Sequence, residues 1–245
     1  EDCALSKAGF LFSQKKKGII PEFLEYYYNK RVVIKKDLFK AKQKLKKLKQ
    51  DTSEYINAKY EVERLNTSQM VIKILINSCY GYMGNKHAPI GDDDIASSVT
   101  LTGQAVIKYS NELIKQFIKK EVPTISDRDL EECIIYNDTD SSYVTITPLI
   151  EQGVKFLDGE DIHKETLDKI QEIENYLNQG VSEWAKKALL TKDSRFIFKR
   201  ECIADVGVFL QKKRYVMHIL DDEGIKENKF KYTGVEVVRT TMPNA

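Results

Sequence analysis

A chain of 245 residues with 42% hydrophobic and 31% charged residues is long enough to bury a core, as one large domain or two modest ones, and its balance is neither disordered nor membrane-like. No apolar run approaches the roughly 20 residues that span a bilayer, and Cys3, Cys79, Cys133 and Cys202 lack the paired spacing of a zinc site or disulfide framework, so a reducing, cytoplasmic setting is expected. The net charge of +2 says little about partners; its distribution says more.

The chain opens on a short apolar run, Gly9-Phe10-Leu11-Phe12, a poor strand by itself, as if the sequence began inside a larger fold. Lys15-Lys16-Lys17-Gly18 reads as a basic turn, and Pro21 suits the first position of a helix. From Glu22 to about Gln50 neither proline nor glycine occurs, which predicts a long helix with a lysine-dense tail at Lys42, Lys44, Lys46, Lys47 and Lys49. That tail is a solvated face or, alternatively, a phosphate-binding one. Asp51-Thr52-Ser53 supplies turn and cap chemistry, and a second helix follows from about Glu54 to Tyr80, ending at Gly81 and Gly84. Two long helices with a short turn form an antiparallel hairpin, an arm more than a globule. Asp92-Asp93-Asp94 can cap a further helix, about Ile95 to Lys120, whose Val99, Val106, Tyr109, Leu113 and Phe117 recur at helical spacing and predict a core helix under a sheet.

Next, Cys133-Ile134-Ile135 and Tyr143-Val144-Thr145-Ile146 flank Tyr136-Asn137-Asp138-Thr139-Asp140-Ser141, the pattern of two strands joined by a tight turn. Asp138 and Asp140, two residues apart at a strand end, are expected on one side, where a hard divalent cation would relieve their repulsion. The same residues read equally well as an ordinary acidic turn. A helical stretch from Asp161 to about Leu190, interrupted near Gly180, precedes strand-like segments at Arg195–Ile203, Arg214–Leu220 and Phe230–Val238, with a turn at Asp221-Asp222-Glu223-Gly224. Helices interleaved with antiparallel strands predict an α+β fold carrying a projecting helical arm.

On the second arm helix Lys73, Asn77 and Tyr80 stand at i, i+4 and i+7, one face offering a cation, an amide and a ring. Arg31 and Lys35 stand at i, i+4 on the first arm helix, so the two basic faces could converge on one triphosphate. Two solvated stripes, with Tyr80 as packing, are the plainer alternative.

Lys73-x-x-x-Asn77-Ser78-x-Tyr80-Gly81, then Tyr136-x-Asp138-Thr139-Asp140-Ser141, then Lys212-Lys213-Arg214-Tyr215 resemble, in family order, motif B, motif C and the Lys-x-Tyr element of family B DNA polymerases. Gly84-Asn85, the Thr100-to-Gln104 stretch and Gly234-Val235-Glu236 fit the replicative polymerases of tailed phages. The resemblance implies a palm remnant at 1–20, a fingers hairpin at 21–84 and a partial palm at 85–245, whose antiparallel sheet packs with helices. It implies Asp140 as the aspartate ligating both of two magnesium ions, Asp138 as its companion and Glu201 as an acidic neighbour. It further implies Lys73, Arg31 and Lys35 on the triphosphate, with Lys73 catalytic through charge compensation, Asn77 and Tyr80 lining the nascent base pair, and Lys213 and Tyr215 at the primer end. Implied partners are primer–template DNA and deoxynucleoside triphosphates, in host cytoplasm if the protein is viral.

Two departures accompany the resemblance. Asn137 stands where the family usually has glycine, and asparagine tolerates the left-handed conformation. No Asp-x-x-Ser-Leu-Tyr-Pro-Ser-like segment, the family's motif A, is found in the sequence, and the exonuclease and thumb regions are expected to be absent. The expectation is therefore a polymerase piece that is weak or inactive without a polypeptide carrying motif A. The alternative is a non-catalytic nucleic-acid or nucleotide-binding module of polymerase shape.

Overall fold

Between Pro21 and Gly84 only Gly81 breaks a helix-forming sequence, and the chain there folds as α1 (Ile19–Lys46) and α2 (Ser53–Met83). This is seen in a computed structural model that describes residues 2–50 and 52–235. Asp51 of the expected turn, and the end of the expected last strand from Glu236 to Val238, lie outside those residues. The chain divides into two compact units, Glu1–Leu101 and Thr102–Ala245.

In the first unit, α1 and α2 pack as an antiparallel pair. The less exposed positions recur in alternating steps of three and four residues, from Leu24 to Leu45 on one helix and from Tyr55 to Met83 on the other. That is the spacing of a coiled-coil seam, with Leu38, Leu65, Ile72 and Met83 at 6–8% exposure. Thr52 caps α2 by accepting the Tyr55 N–H at 3.1 Å. Pro21 is the third residue of α1, not the first; a first turn has no intrahelical use for its N–H groups, so proline is tolerated there. Helix α1 stops at Lys46, short of Gln50, and α2 passes through Gly81 to end at Gly84. The opening run is not a lone strand: β1 (Cys3–Leu5) pairs with β2 (Leu11–Ser13) around Gly9, whose φ of +92° suits glycine.

Helix α3 (Asp93–Glu121) is capped as expected, Asp92 Oδ1 accepting the N–H groups of Asp94 and Ile95 at 2.8 and 3.1 Å. In its first turns Ser98 donates to Ser6 at 2.9 Å, tying the helix to the β1–β2 hairpin. Val99 is half exposed, not in a core.

The second unit continues with α4 (Asp127–Glu132), β3 (Ile134–Asp138), β4 (Ser141–Val144), α5 (Thr147–Glu151), β5 (Leu157–Asp158), β6 (Asp161–Ile162) and α6 (Lys164–Ala188). Strands β7 (Cys202–Gln211), β8 (Arg214–Asp222) and β9 (Ile225–Thr233) complete it. Val106, Leu113, Ile118, Leu177 and Val181 lie in its main core, so α3 packs chiefly on α6: Tyr109 stacks on Trp184 at 5.3 Å and Phe117 meets Tyr176 at 5.6 Å. Cys133, expected at the start of a strand, is the C-cap of α4 and fully buried; burial pushes its thiol pKa up.

Two expectations fail in this unit for identifiable reasons. Gly180 does not interrupt α6; a Cβ there would stand 2.6 Å from Leu113 Cδ1, so the glycine lets two helices approach closely. The Arg195–Ile203 segment is not a strand before Cys202. Its backbone is satisfied by α6 side chains: Phe198 N–H donates to Asn178 Oδ1 at 2.7 Å, Asn178 Nδ2 donates to Phe198 O at 2.9 Å, and Arg200 N–H donates to Glu174 Oε2 at 3.0 Å. The β7–β8–β9 sheet is antiparallel throughout, with Tyr215, Met217 and Ile219 of β8 buried in the two-residue period of a half-buried strand. Strand β8 runs through Asp222, leaving Glu223-Gly224 alone as the turn. Among the described residues no helix is long and apolar enough to cross a membrane.

Candidate active site

In the second unit, two hairpins remote in sequence come together. The β3–β4 register pairs Tyr136 with Tyr143, Asn137 with Ser142 and Asp138 with Ser141, leaving Thr139 and Asp140 as a two-residue loop. Asp140 N–H reaches back to Asp138 O at 2.6 Å, the i to i+2 bond of a γ-turn, around Thr139 at φ +55°. A β-branched residue with positive φ is a strained choice, and such strain gathers at sites with a task. The left-handed residue is thus Thr139, not Asn137. Asn137 lies in the strand, where its Oδ1 accepts from Asn111 Nδ2 at 3.2 Å and sits 2.8 Å from Ser142 Oγ. Asp140 belongs to the loop, so strand alternation does not set its direction; the turn does.

The second hairpin joins β7 to β8 through Lys212-Lys213, with Lys213 at φ +61°. Tyr136 and Asp138 share a face of β3, and both reach this turn. Lys213 N–H donates to Tyr136 Oη at 2.9 Å, and Lys213 Nζ stands 3.8 Å from Asp138 Oδ1. Beneath them Tyr136, Tyr143, Phe209 and Tyr215 form a ring cluster with centroids 5.3–5.9 Å apart. The Tyr143 and Tyr215 hydroxyls lie 2.7 Å apart. Burial first, then this bond, raises the Tyr143 pKa well above the ordinary phenol value. Tyr215 is buried, so its side chain supports the turn from below.

Asp138 is half-buried and also accepts from Thr139 Oγ1 at 3.1 Å; Asp140 is exposed, with Ser141 Oγ at 3.5 Å. Two carboxylates, one open to solvent, are the oxygen donors a hard cation takes, so the pair fits part of a magnesium site. Glu201 is exposed beside β7, its carbonyl accepting Glu223 N–H at 2.6 Å. Among the described residues no three acidic, histidine or cysteine side chains stand close enough to hold a metal together, so Glu201 does not join the two aspartates.

In the first unit, Lys73 and Asn77 are exposed on α2 and Tyr80 is 39% exposed, one accessible strip as the spacing required. Lys35 is half-buried. Arg31 lies in the seam, its Nε and Nη2 both donating to Gln69 Oε1 at 3.2 and 3.1 Å. Gln69 is one turn before Lys73, so Arg31 sits at a level about 6 Å along the arm from that lysine. Sequence reasoning passed over Gln69, though it stands at i−4 from Lys73, and over Tyr136, though alternation puts it on the Asp138 face.

The model of DNA polymerase family B matches residues 2–244. The chain belongs to that family. It is 28% identical over 197 residues to the DNA-directed DNA polymerase of Escherichia phage RB69, covering 73% of this chain and 21% of that protein. It is 25% identical over 298 residues to the DNA-directed DNA polymerase of Enterobacteria phage T4, covering 100% of this chain and 32% of that one. DNA polymerase 1 of Pyrococcus abyssi is 27% identical over 233 residues, 95% of this chain and 23% of that protein. The family B chain thus spans between a fifth and a third of the length of these relatives.

Proposed function

We propose that this chain carries the fingers hairpin (21–84) and part of the palm (1–20 and 85–245) of a template-directed DNA polymerase working on primer ends in the cytoplasm. The observation that supports the reading most is the meeting of the acidic and cationic hairpins, with Lys213 Nζ 3.8 Å from Asp138 Oδ1. An acidic turn without a task has no need of a lysine turn from far along the chain.

Asp140 and Asp138 are the hard ligands, with Glu201 a nearby acid. Magnesium held by this pair would supply charge neutralisation at the attacking 3′-hydroxyl oxygen and at the leaving pyrophosphate. Lys213 holds primer phosphate by a sequence-independent charge contact, and Tyr215 braces its turn. Lys73, Arg31 and Lys35 grip and neutralise the triphosphate, while Asn77 and Tyr80 line the nascent base pair. Two ions need a carboxylate from a further strand, which we assign to a polypeptide segment outside this sequence.

The test is primer extension with magnesium, by the chain alone and with a polypeptide carrying the motif A segment. Extension is expected to be weak alone and robust in the mixture, and Asp140→Ala should remove most of it. Lys73→Ala should chiefly raise the KM for nucleotide. A mixture that binds primer–template without extending it would make the protein a binding module instead, and robust extension by the chain alone would overturn the assignment of the missing carboxylate.

A further inference from the structure

Arg31 and Gln69 are the two polar residues in a seam otherwise built of apolar side chains, and the functional reading leaves Gln69 without a role. Gln69 is only 7% exposed. Its Oε1 accepts both Arg31 donors, and its Nε2 donates to Asn66 Oδ1 at 3.1 Å, which turns the amide oxygen toward Arg31. A polar pair at seam positions costs stability relative to packed leucines and is retained where it fixes something.

What it fixes can be read from its chemistry. The acceptor is neutral. A carboxylate at 69 would hold the guanidinium more strongly and cancel its charge; an amide aims it and leaves the charge for another anion. The contact engages Nε and one Nη2 donor of the five that a guanidinium carries, so Gln69 leaves the other three, all on the Nη nitrogens, to act on another group. Gln69 also continues the Lys73, Asn77, Tyr80 strip by one turn toward the seam.

We propose that Gln69 is a positioning residue that presents the Nη end of Arg31, alongside Lys73, to the phosphates of a nucleoside triphosphate. The proposal rests on the assignment of Arg31 and Lys73 to the triphosphate made above.

The test is equilibrium binding of dATP with magnesium to the full chain, comparing the natural protein with Gln69→Met, Arg31→Ala, the double variant and Lys73→Ala. Gln69→Met and Arg31→Ala should each weaken binding by about 5–10-fold, the scale of one charge-assisted contact, and the double variant should be no weaker than Arg31→Ala alone. A purely register-setting glutamine would shift the melting midpoint without this non-additivity in dATP affinity. Gln69→Glu keeps the acceptor and the fold while cancelling the charge, and should weaken dATP binding only while Arg31 is present. Unchanged affinity in Gln69→Met, or additive losses in the double variant, would overturn the proposal alone if Lys73→Ala still weakens binding. No Lys73-dependent dATP binding by the natural protein would overturn both it and the functional assignment.

Discussion

Replacing Tyr136 with phenylalanine removes one oxygen and leaves the ring cluster intact. In the structure that oxygen accepts the Lys213 N–H at 2.9 Å, and Lys213 holds a left-handed backbone at φ +61°. A neutral hydrogen bond contributes about 1 kcal/mol net, and a non-glycine residue in the left-handed region costs roughly 1–2 kcal/mol. The bond therefore offsets much of the strain in the turn, and without it the turn is free to relax. Lys213 is exposed, so water can satisfy the released N–H and the loss stays near 1 kcal/mol, or about 2–4 °C in melting midpoint for a chain of this size. The turn's second contact should suffer too: primer–template affinity, followed by fluorescence anisotropy at several salt concentrations, should fall in Tyr136→Phe with a shallower salt slope, as when one phosphate contact is lost. If both the midpoint and the salt slope matched the natural protein, the claim that Tyr136 sets the Lys213 turn would be refuted.

Two further outcomes follow from the second unit. His218 lies between the Asn228 amide oxygen and the Asp205 carboxylate, at 2.9 and 2.8 Å, and these bonds, Asn228 first, raise its pKa. A raised folded-state pKa means stability that is fully present below the unfolded value of about 6.5 and is lost as pH rises through the folded value. The melting midpoint should decline over that window, and His218→Gln should flatten the decline. Gly180→Ala places a methyl 2.6 Å from Leu113 Cδ1 in the core. Overpacking of about 1–3 kcal/mol exceeds the roughly 1 kcal/mol that alanine gains in a helix, so urea unfolding should show a net loss that Leu113→Val partly relieves.

The arm was legible because one signal, a long run without proline or glycine, is local and sufficient to make a helix. The role of Arg31 within it was not legible, because the seam depends on which residue of the other helix stands opposite, and only Gln69 turns Arg31 from a surface cation into a seam residue. The acidic hairpin was legible from apolar runs around an Asn/Asp cluster. Its left-handed residue was misplaced, because register puts Asn137 opposite Ser142 inside the ladder and pushes the sharp bend on to Thr139. Phe196-Ile197-Phe198 alternates like a strand, but alternation reports burial on one side and says nothing of who satisfies the backbone; here Asn178 and Glu174 do so from a helix. Gly180 read as a break because local propensity cannot see Leu113.

A common device links the proposed roles in the two units. Arg31 is aimed by the amide of Gln69, the Lys213 turn is held through its backbone by the hydroxyl of Tyr136, and Asn137 beside Asp138 is held by Asn111 and Ser142. Each partner is neutral. Were Arg31 and Lys213 tied down tightly by carboxylates, phosphate would have to displace an ion pair before gaining anything, and the exchange would be nearly even. A neutral orienting partner fixes direction while leaving the charge to act on the substrate, which is what preorganised electrostatics requires. The Lys213–Asp138 pair departs from this pattern, and at 3.8 Å with a largely exposed lysine it is a weak surface pair, so on the proposed reading it would leave the carboxylate free for magnesium and the ammonium free for a primer phosphate.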